Sequence, residues 1–153
     1  MSQSFNYRHL FYFWVVAKEG GIARAAERLD MAVQTISAQV RALTDGYGGD
    51  LDPSSDPTRD RIVFSSTRSG HRNLWLANAD GSDPRPLTSG GANDHHPAFS
   101  PDGRQVAFVS DRGGRWGIWL INAEGGAPRL LAPATVFDSL TWSPALSRIV
   151  FAT

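Results

Sequence analysis

Residues 99–112 read Phe-Ser-Pro-Asp-Gly-Arg-Gln-Val-Ala-Phe-Val-Ser-Asp-Arg, and this stretch decides the fold. Its segment 100–103 has Pro at the second and Gly at the fourth position, which is the preference of a type I turn. Apolar residues stand on both sides of the turn, with Phe99 before it and Val106 and Phe108 after it. The stretch therefore predicts two antiparallel strands joined by a tight turn.

The same pattern recurs along the chain. Eleven positions between residues 62 and 81 return 44 places later with an identical or similar residue, and Phe99-Ser100-Pro101 returns 43 places later as Trp142-Ser143-Pro144. A period near 43 residues, made of short strands and Gly/Pro turns, is typical of a β-propeller blade. The eleven positions are Ile62, Phe64, Ser66, Arg68, Gly70, Leu74, Trp75, Leu76, Asn78, Ala79 and Gly81.

The repeat predicts nine strands: three before Ser89, four in residues 97–131 and two after Asp138. Nine strands make little more than two blades, whereas a closed propeller has roughly four to eight. We therefore expect an open fan whose edges and end faces are uncovered. Such a fan should self-associate or be poorly soluble.

Residues 7–43 have a different pattern, in which apolar residues recur at three- and four-residue steps. This predicts three short helices, with Asn6 as the first cap, a break at Gly20-Gly21 and a tight turn in residues 29–33. Three helices with a short second turn indicate a helix-turn-helix unit, although a plain three-helix bundle has the same periodicity.

Residues 44–60 hold five Asp, three Gly and two Pro against a single Arg59. This composition predicts an extended, mobile linker that is not helical. The sequence thus predicts an α+β multidomain chain with a helical unit (1–43), an acidic linker (44–60) and an incomplete all-β propeller of about two blades (61–153).

Composition limits the function classes. The 153 residues carry 15 basic and 15 acidic side chains and no cysteine, which excludes a disulfide framework and a thiolate site. The longest apolar run has about eight residues, too short for a membrane span, and no signal peptide is recognised. We expect a cytoplasmic protein without a membrane partner.

The order of residues in the helical part resembles the N-terminal helix-turn-helix of LysR-type transcriptional regulators over residues 4–43. Within that family, Tyr12-Phe13-Trp14 and Gln34-Thr35-Ile36-Ser37 are most similar to the sodium/proton antiporter regulators. The winged helix-turn-helix of this family inserts its third helix into the major groove of double-stranded DNA. The resemblance implies DNA contacts by Gln34, Thr35, Ser37, Ala38 and Arg41. Arg24 and Arg28 on the second helix could contact phosphate as well, or they could be solvated surface residues.

The chemistry of these side chains suits that role. Gln can pair with adenine through two hydrogen bonds, Thr and Ser can contact bases or phosphate, and Arg can hold phosphate or guanine. An exposed polar face of an ordinary bundle would have the same residues.

Residues 61–153 resemble the propeller repeats of the TolB family, known as PD40 or WD40-like repeats. The resemblance rests on the motifs at 99–104, 110–112 and 118–120. It implies blades that contact proteins or shape access to a catalytic domain, and no catalytic domain is recognised in this sequence.

No catalytic, cofactor or metal site is predicted. A Gly-x-Ser-x-Gly nucleophile motif and a phosphate-binding Gly-rich loop are absent from the sequence. Asp94-His95-His96 is read as a structural loop, since no third ligand follows at a suitable spacing. Trp75, Trp119 and Trp142 are expected in the blade core, and the assignment of Trp116 stays open.

The sequence therefore favours a DNA-binding transcriptional regulator whose propeller fragment serves protein interaction or self-association, and not an enzyme. Two alternatives remain: a TolB-like interaction module with a vestigial DNA-binding head, or a fusion of two gene fragments without function.

Overall fold

The computed structural model describes residues 7–46, 52–79, 82–133, 139–143 and 148–152. The three predicted helices are present as α1 (Tyr7–Glu19), α2 (Ile22–Leu29) and α3 (Val33–Gly46). The predicted cap Asn6 lies outside the described residues. Helix α3 continues three residues past the predicted end at Leu43, through Thr44, Asp45 and Gly46. Residues 44–46 are therefore helix and not linker.

The turn between α2 and α3 is built by backbone hydrogen bonds. Asp30 adopts a left-handed conformation (φ 51°), and its N–H donates to the carbonyl of Glu27. The N–H of Met31 donates to the carbonyl of Ala26 at 3.0 Å. These bonds satisfy the last carbonyls of α2 and direct the chain into α3.

The remaining chain forms ten described strands, all paired antiparallel. Two four-stranded sheets have the orders β1-β2-β3-β4 and β5-β6-β7-β8, and β9 pairs with β10 in a third sheet. The strands are β1 (Ser54–Ser55), β2 (Arg61–Ser66), β3 (Asn73–Asn78), β4 (Arg85–Pro86), β5 (Asp94–Phe99), β6 (Gln105–Ser110), β7 (Gly117–Asn122), β8 (Arg129–Pro133), β9 (Ser139–Ser143) and β10 (Arg148–Ala152).

The predicted strand count was one short, because β1 lies inside the segment assigned to the linker. Three of the linker aspartates have partners elsewhere in the structure. Asp52 accepts a hydrogen bond from the N–H of His96 at 3.2 Å, and Asp56 binds Arg61. Asp60 binds Lys18 of α1 at 3.0 Å. The second half of the predicted linker is therefore the start of the first sheet, fixed by its own charges.

The first two sheets pack face to face through alternate residues of their strands. Val63 of β2 and Leu74 and Leu76 of β3 share a buried cluster with Val106 and Phe108 of β6. Phe108 is almost fully buried in this cluster, and Val63 and Leu74 are fully buried, as expected for alternate positions along a strand.

Helix α1 covers the opposite face of the first sheet. Phe13 and Trp14 of α1 share a buried cluster with Ile62 and Phe64 of β2 and with Ala77 of β3. The expectation of an uncovered face at the start of the fan was therefore wrong. The helical unit covers this face in the way that a neighbouring blade would, because removing the apolar side chains of Ile62 and Phe64 from water is favourable.

The predicted turn at residues 100–103 is present. The N–H of Gly103 donates to the carbonyl of Ser100 at 2.8 Å, and the Asp102 carboxylate accepts from the Ser100 hydroxyl and the Arg104 N–H. These two hydrogen bonds lower the pKa of Asp102. Gly103 has φ +68° and lies against the loop of the first sheet.

We expect Gly103→Ala to cost about 1–3 kcal/mol more than Gly70→Ala. Both glycines have positive φ, but a Cβ at Gly103 would overlap the Asp56 carboxylate and lie 2.5 Å from Thr58 Oγ1. At Gly70 no heavy atom lies within 4 Å of the added carbon. Urea unfolding of both variants measures the difference, and equal losses would refute the close approach of the two sheets.

Candidate functional site

Each of the two four-stranded sheets carries an arginine stacked over a tryptophan. The Arg68 guanidinium lies 4.5 Å from the Trp75 ring centroid, and that of Arg112 lies 5.6 Å from Trp119. Both arginines also use Nε to donate to a serine two residues earlier, Ser66 or Ser110. These tryptophans are half-buried, as is Trp142. All three lie in strands of the blades, where they were expected in the core.

Asp94, which was predicted in a loop with His95 and His96, is the first residue of β5. Its side chain is fully buried and accepts two hydrogen bonds from Arg112, both at 2.8 Å, and one from Thr88 Oγ1 at 2.5 Å. The segment is strand because this buried carboxylate anchors it. The pairing of β5 with β6 shifts register between His95 and Ala98, where His96 has φ +48°.

Next to the register shift, the His95 ring lies near the ring of His96 and near an exposed tryptophan. His95 lies 5.7 Å from the ring of Trp116 and 6.0 Å from that of His96, measured between centroids. His96 Nδ1 lies 3.2 Å from a carboxylate oxygen of Asp52. Trp116 is 39% exposed. We call Asp52, His95, His96 and Trp116 the rim patch.

The electrostatics of the rim patch are set by burial and by neighbouring cations. Burial lowers the pKa of His95, and the charges of Arg72 and His96 lower it further against the opposing charges of Asp52 and Asp94. Within the described residues, no group of three His, Cys, Asp or Glu side chains could hold a metal ion. The patch offers one flat aromatic surface and imidazole hydrogen-bonding groups.

The lowered pKa of His95 predicts a pH dependence of stability. The imidazole of His95 binds a proton more readily in the unfolded chain than in the folded one. Neutral His95 therefore contributes its full share to the free energy of unfolding above about pH 6.5, and this contribution is lost as the pH falls below that value. We expect His95→Gln to flatten the fall of unfolding free energy between about pH 7 and 5. Urea unfolding across this range measures it, and an unchanged slope would contradict the assignment.

A second polar cluster joins the first two sheets. The buried Arg61 donates to Asp56 at 2.5 Å, to Glu124 at 2.8 Å and to the Gly103 carbonyl at 3.0 Å. We call Asp56, Arg61, Gly103 and Glu124 the inter-sheet clamp. The hydrogen bond from Arg61 lowers the pKa of Glu124. Beside the clamp is an open cleft of about 340 Å³.

The predicted DNA-contact residues lie between residues 24 and 41, in the helical unit, whereas the rim patch is formed by residues 52–116. Gln34, Thr35, Ala38 and Arg24 are exposed, and Ser37 is half-buried. Ile36 between them is fully buried and anchors α3 to the bundle. Arg41 lies on α3, and its side chain is not among those described.

The antiparallel sheets described above resemble part of a β-propeller. The chain belongs to the PD40 family, the TolB β-propeller domain, whose family model matches residues 24–153. The match includes the predicted propeller region and also begins earlier, within α2.

Solved structures agree with this fold. TolB from Acinetobacter baumannii is similar with a TM-score of 0.56 and 21% identity, over 67% of this chain and 26% of that one. A TolB-like protein of Agrobacterium tumefaciens gives 0.55 and 23%, over 64% and 36% of the two chains. A chain of the nidogen/laminin complex gives 0.57 and 17%, over 67% and 40%. At these identities the likeness concerns the fold.

The chain is also similar to a curated transcriptional activator. It is 52% identical over 46 residues to the transcriptional activator protein NhaR of Escherichia coli (strain K12). The segment is 30% of this chain, which spans only 15% of the length of NhaR. The described helices include none long and apolar enough to cross a membrane.

Proposed function

We propose that this protein is a protein-interaction module in which the propeller blades present the rim patch to a partner. The observation that carries the proposal is the exposed Trp116 ring packed against His95. Tryptophan is enriched among the residues that dominate binding energy at protein interfaces. The membership of the chain in a propeller family also supports a role in protein contact.

The surroundings of the patch favour an acidic partner segment. Arg115 is exposed beside Trp116, and Arg72 is close enough to His95 to affect its titration. The buried Asp94 is neutralised by Arg112, so the carboxylate of the patch that an acidic partner must avoid is Asp52, 27% exposed beside His96. We therefore expect the partner to present an Asp or Glu next to an apolar side chain, with the carboxylate near Arg115 and the apolar group on the indole.

Selection of a peptide-display library on the whole chain tests this proposal. We expect enrichment of acidic peptides whose affinity, measured by calorimetry, falls at least about tenfold in Trp116→Ala. The matched control is Leu130→Ala, which removes another exposed apolar side chain, half exposed on the outer strand β8. Peptides that bind both variants as tightly as the unmodified chain would refute the rim patch as the binding site.

A second candidate function is sequence-directed DNA binding by α3. It is supported by the exposure of Gln34, Thr35 and Ala38 and by the identity with NhaR. The packing of α1 on the first sheet supports a chain whose two parts fold together, rather than an accidental fusion. In this proposal the third helix enters the major groove and Arg24 and Arg41 contact phosphate.

Titration of a labelled duplex at two salt concentrations tests the DNA proposal. Affinity should fall with rising salt, and a Gln34→Ala/Arg41→Ala double variant should bind more weakly with a salt slope reduced by about 1. Arg129→Ala, which removes an exposed arginine of β8, is the control. DNA binding that does not depend on salt, or a double variant that binds DNA as tightly as the unmodified chain, would refute this function. Neither result would affect the rim-patch proposal.

A further inference from the structure

Three arginine side chains meet at one carboxylate in the cleft beside the inter-sheet clamp. Arg61 and Arg59 donate to Oε1 of Glu124, at 2.8 and 3.1 Å. Arg85 Nη2 lies 3.6 Å from Oε2 of the same carboxylate, which is within ion-pair distance but too long for a hydrogen bond. A single carboxylate therefore faces three cations, and it accepts hydrogen bonds from only two of them.

The internal repeat shows that a blade does not need two of these cations. The first sheet has Arg59 and Arg61 where the second sheet, 44 residues later, has Gly103 and Gln105. Both sheets nevertheless have four strands in the same order. Arg59 is 64% and Arg85 48% exposed, so these two side chains add little to the core. The grouping of the three arginines is thus a property of this cleft and not of blades in general.

The other residues of the cleft limit the ligand that it can hold. Its lining includes the buried Leu76 and Ala77. Asp60 is bound by Lys18 at 3.0 Å, so the exposed Asp83 is the carboxylate of the described lining, besides Glu124, that an anion would meet. The volume of about 340 Å³ is at the lower end of the range of small-molecule sites, roughly 300–1,000 Å³.

We infer that this cleft binds the phosphate group of a small molecule through Arg59, Arg61 and Arg85, and that Glu124 occupies the site when no ligand is bound. A phosphate monoester carries a charge of about −1.5 to −2 at pH 7 and has three acceptor oxygens, so it can pair with three guanidinium groups at once. Glu124 lies just after β7 and is 58% exposed, so its side chain can turn into solvent without opening the core. Because Glu124 and Asp83 oppose an anion, we expect binding in the millimolar range.

Titration of the whole chain with inorganic phosphate and with glycerol 3-phosphate, at constant ionic strength, tests the inference, which does not rest on the function proposed above. The side-chain N–H signals of the cleft arginines in NMR spectra should shift to saturation. Affinity should fall at least about fivefold in Arg59→Met and in Arg85→Met, since each removes a charge-assisted hydrogen bond to the ligand. Arg129→Met changes the exposed arginine that stands 44 residues after Arg85, and it should leave the affinity unchanged.

Removing the charge of the resident carboxylate should strengthen binding. Glu124→Gln keeps the size of the side chain but no longer competes for the cations, so we expect the phosphate affinity to rise about fivefold or more. Asp83→Asn should raise it as well, and it serves as the second variant should Glu124→Gln fail to fold. Circular dichroism of each variant shows whether it is folded.

The two ligands distinguish the source of the phosphate group. Tighter binding of glycerol 3-phosphate indicates an ester, and tighter binding of inorganic phosphate indicates the free ion; either result supports the site. The inference would be overturned if neither ligand gave a saturable shift, or if Arg59→Met and Arg85→Met bound phosphate as tightly as the unmodified chain. Acetate that binds as tightly as phosphate, or a folded Glu124→Gln variant with unchanged affinity, would overturn it too.

Discussion

Replacing Arg61 with Met should lower the free energy of unfolding by about 3–5 kcal/mol, as expected when one partner of a buried ion pair is removed. The side chain of Arg61 is 9% exposed and that of Asp56 is fully buried, so the variant leaves an uncompensated carboxylate in the interior. Burial alone would lower the pKa of Arg61, but hydrogen bonds and charge from Asp56 and Glu124 raise it. The arginine therefore stays charged.

Urea unfolding measures this loss, and two variants control it. Arg59→Met removes a cation that also contacts Glu124, at 3.1 Å, but is 64% exposed, so we expect a change of less than about 1 kcal/mol. Adding Asp56→Asn to Arg61→Met should recover part of the stability, because the buried charge is then gone. Equal losses for Arg59→Met and Arg61→Met would show that the inter-sheet clamp does not hold the sheets together.

Replacing Trp14 with Ala should cost about 3–5 kcal/mol and destabilise the helices and the first sheet together. Trp14 is 5% exposed in the cluster that joins α1 to β2, and the Lys18 ammonium lies 4.5 Å from its ring centroid. Removing the indole leaves a cavity between α1 and the first sheet and exposes the Phe64 ring to water.

The matched control is Trp116→Ala, which removes an exposed indole and should change stability by less than about 0.5 kcal/mol. Helix content from circular dichroism and tertiary packing from near-ultraviolet signals should fall in one transition in the unmodified chain. Two separate transitions, with Trp14→Ala shifting only the helical one, would show that the helical unit folds independently of the blades.

Much of the fold could be predicted from the sequence. The 44-residue repeat placed β2, β3, β6 and β7, because strands built from the same residues bury the same alternate positions. Three-residue and four-residue spacing likewise predicted all three helices. The alternation of buried positions along a strand and the three- to four-residue spacing along a helix are set by residues that are close together in the sequence. They can therefore be recognised without knowledge of the tertiary structure.

Strand β1 was missed although a signal for it exists. Asp50-Leu51-Asp52-Pro53 stands 44 residues before Asp94-His95-His96-Pro97, with the same Asp-x-x-Pro spacing. Composition favoured a linker there, because Asp, Gly and Pro are rare in strands. The buried carboxylate of Asp56 is paired with Arg61, so the strand depends on a partner that composition does not reveal.

The rim patch could not be predicted as a unit. Trp116 and His95 are 21 residues apart, and their contact depends on the register shift in β5 and on the loop before β7. The exposed face of α3 was easier to predict from the sequence, since the buried Ile36 fixes which side of the helix faces water.

The sequence was sufficient for the three helices, for strands β2, β3, β6 and β7 and for the turn at residues 100–103, since these follow from backbone preferences and from the spacing of apolar residues. The tertiary structure was needed to show that α1 covers the first sheet and that the acidic segment is tied to the blades. The reason is that burial and charge pairing depend on groups far apart in the chain, and their positions are defined only once the sheets have packed.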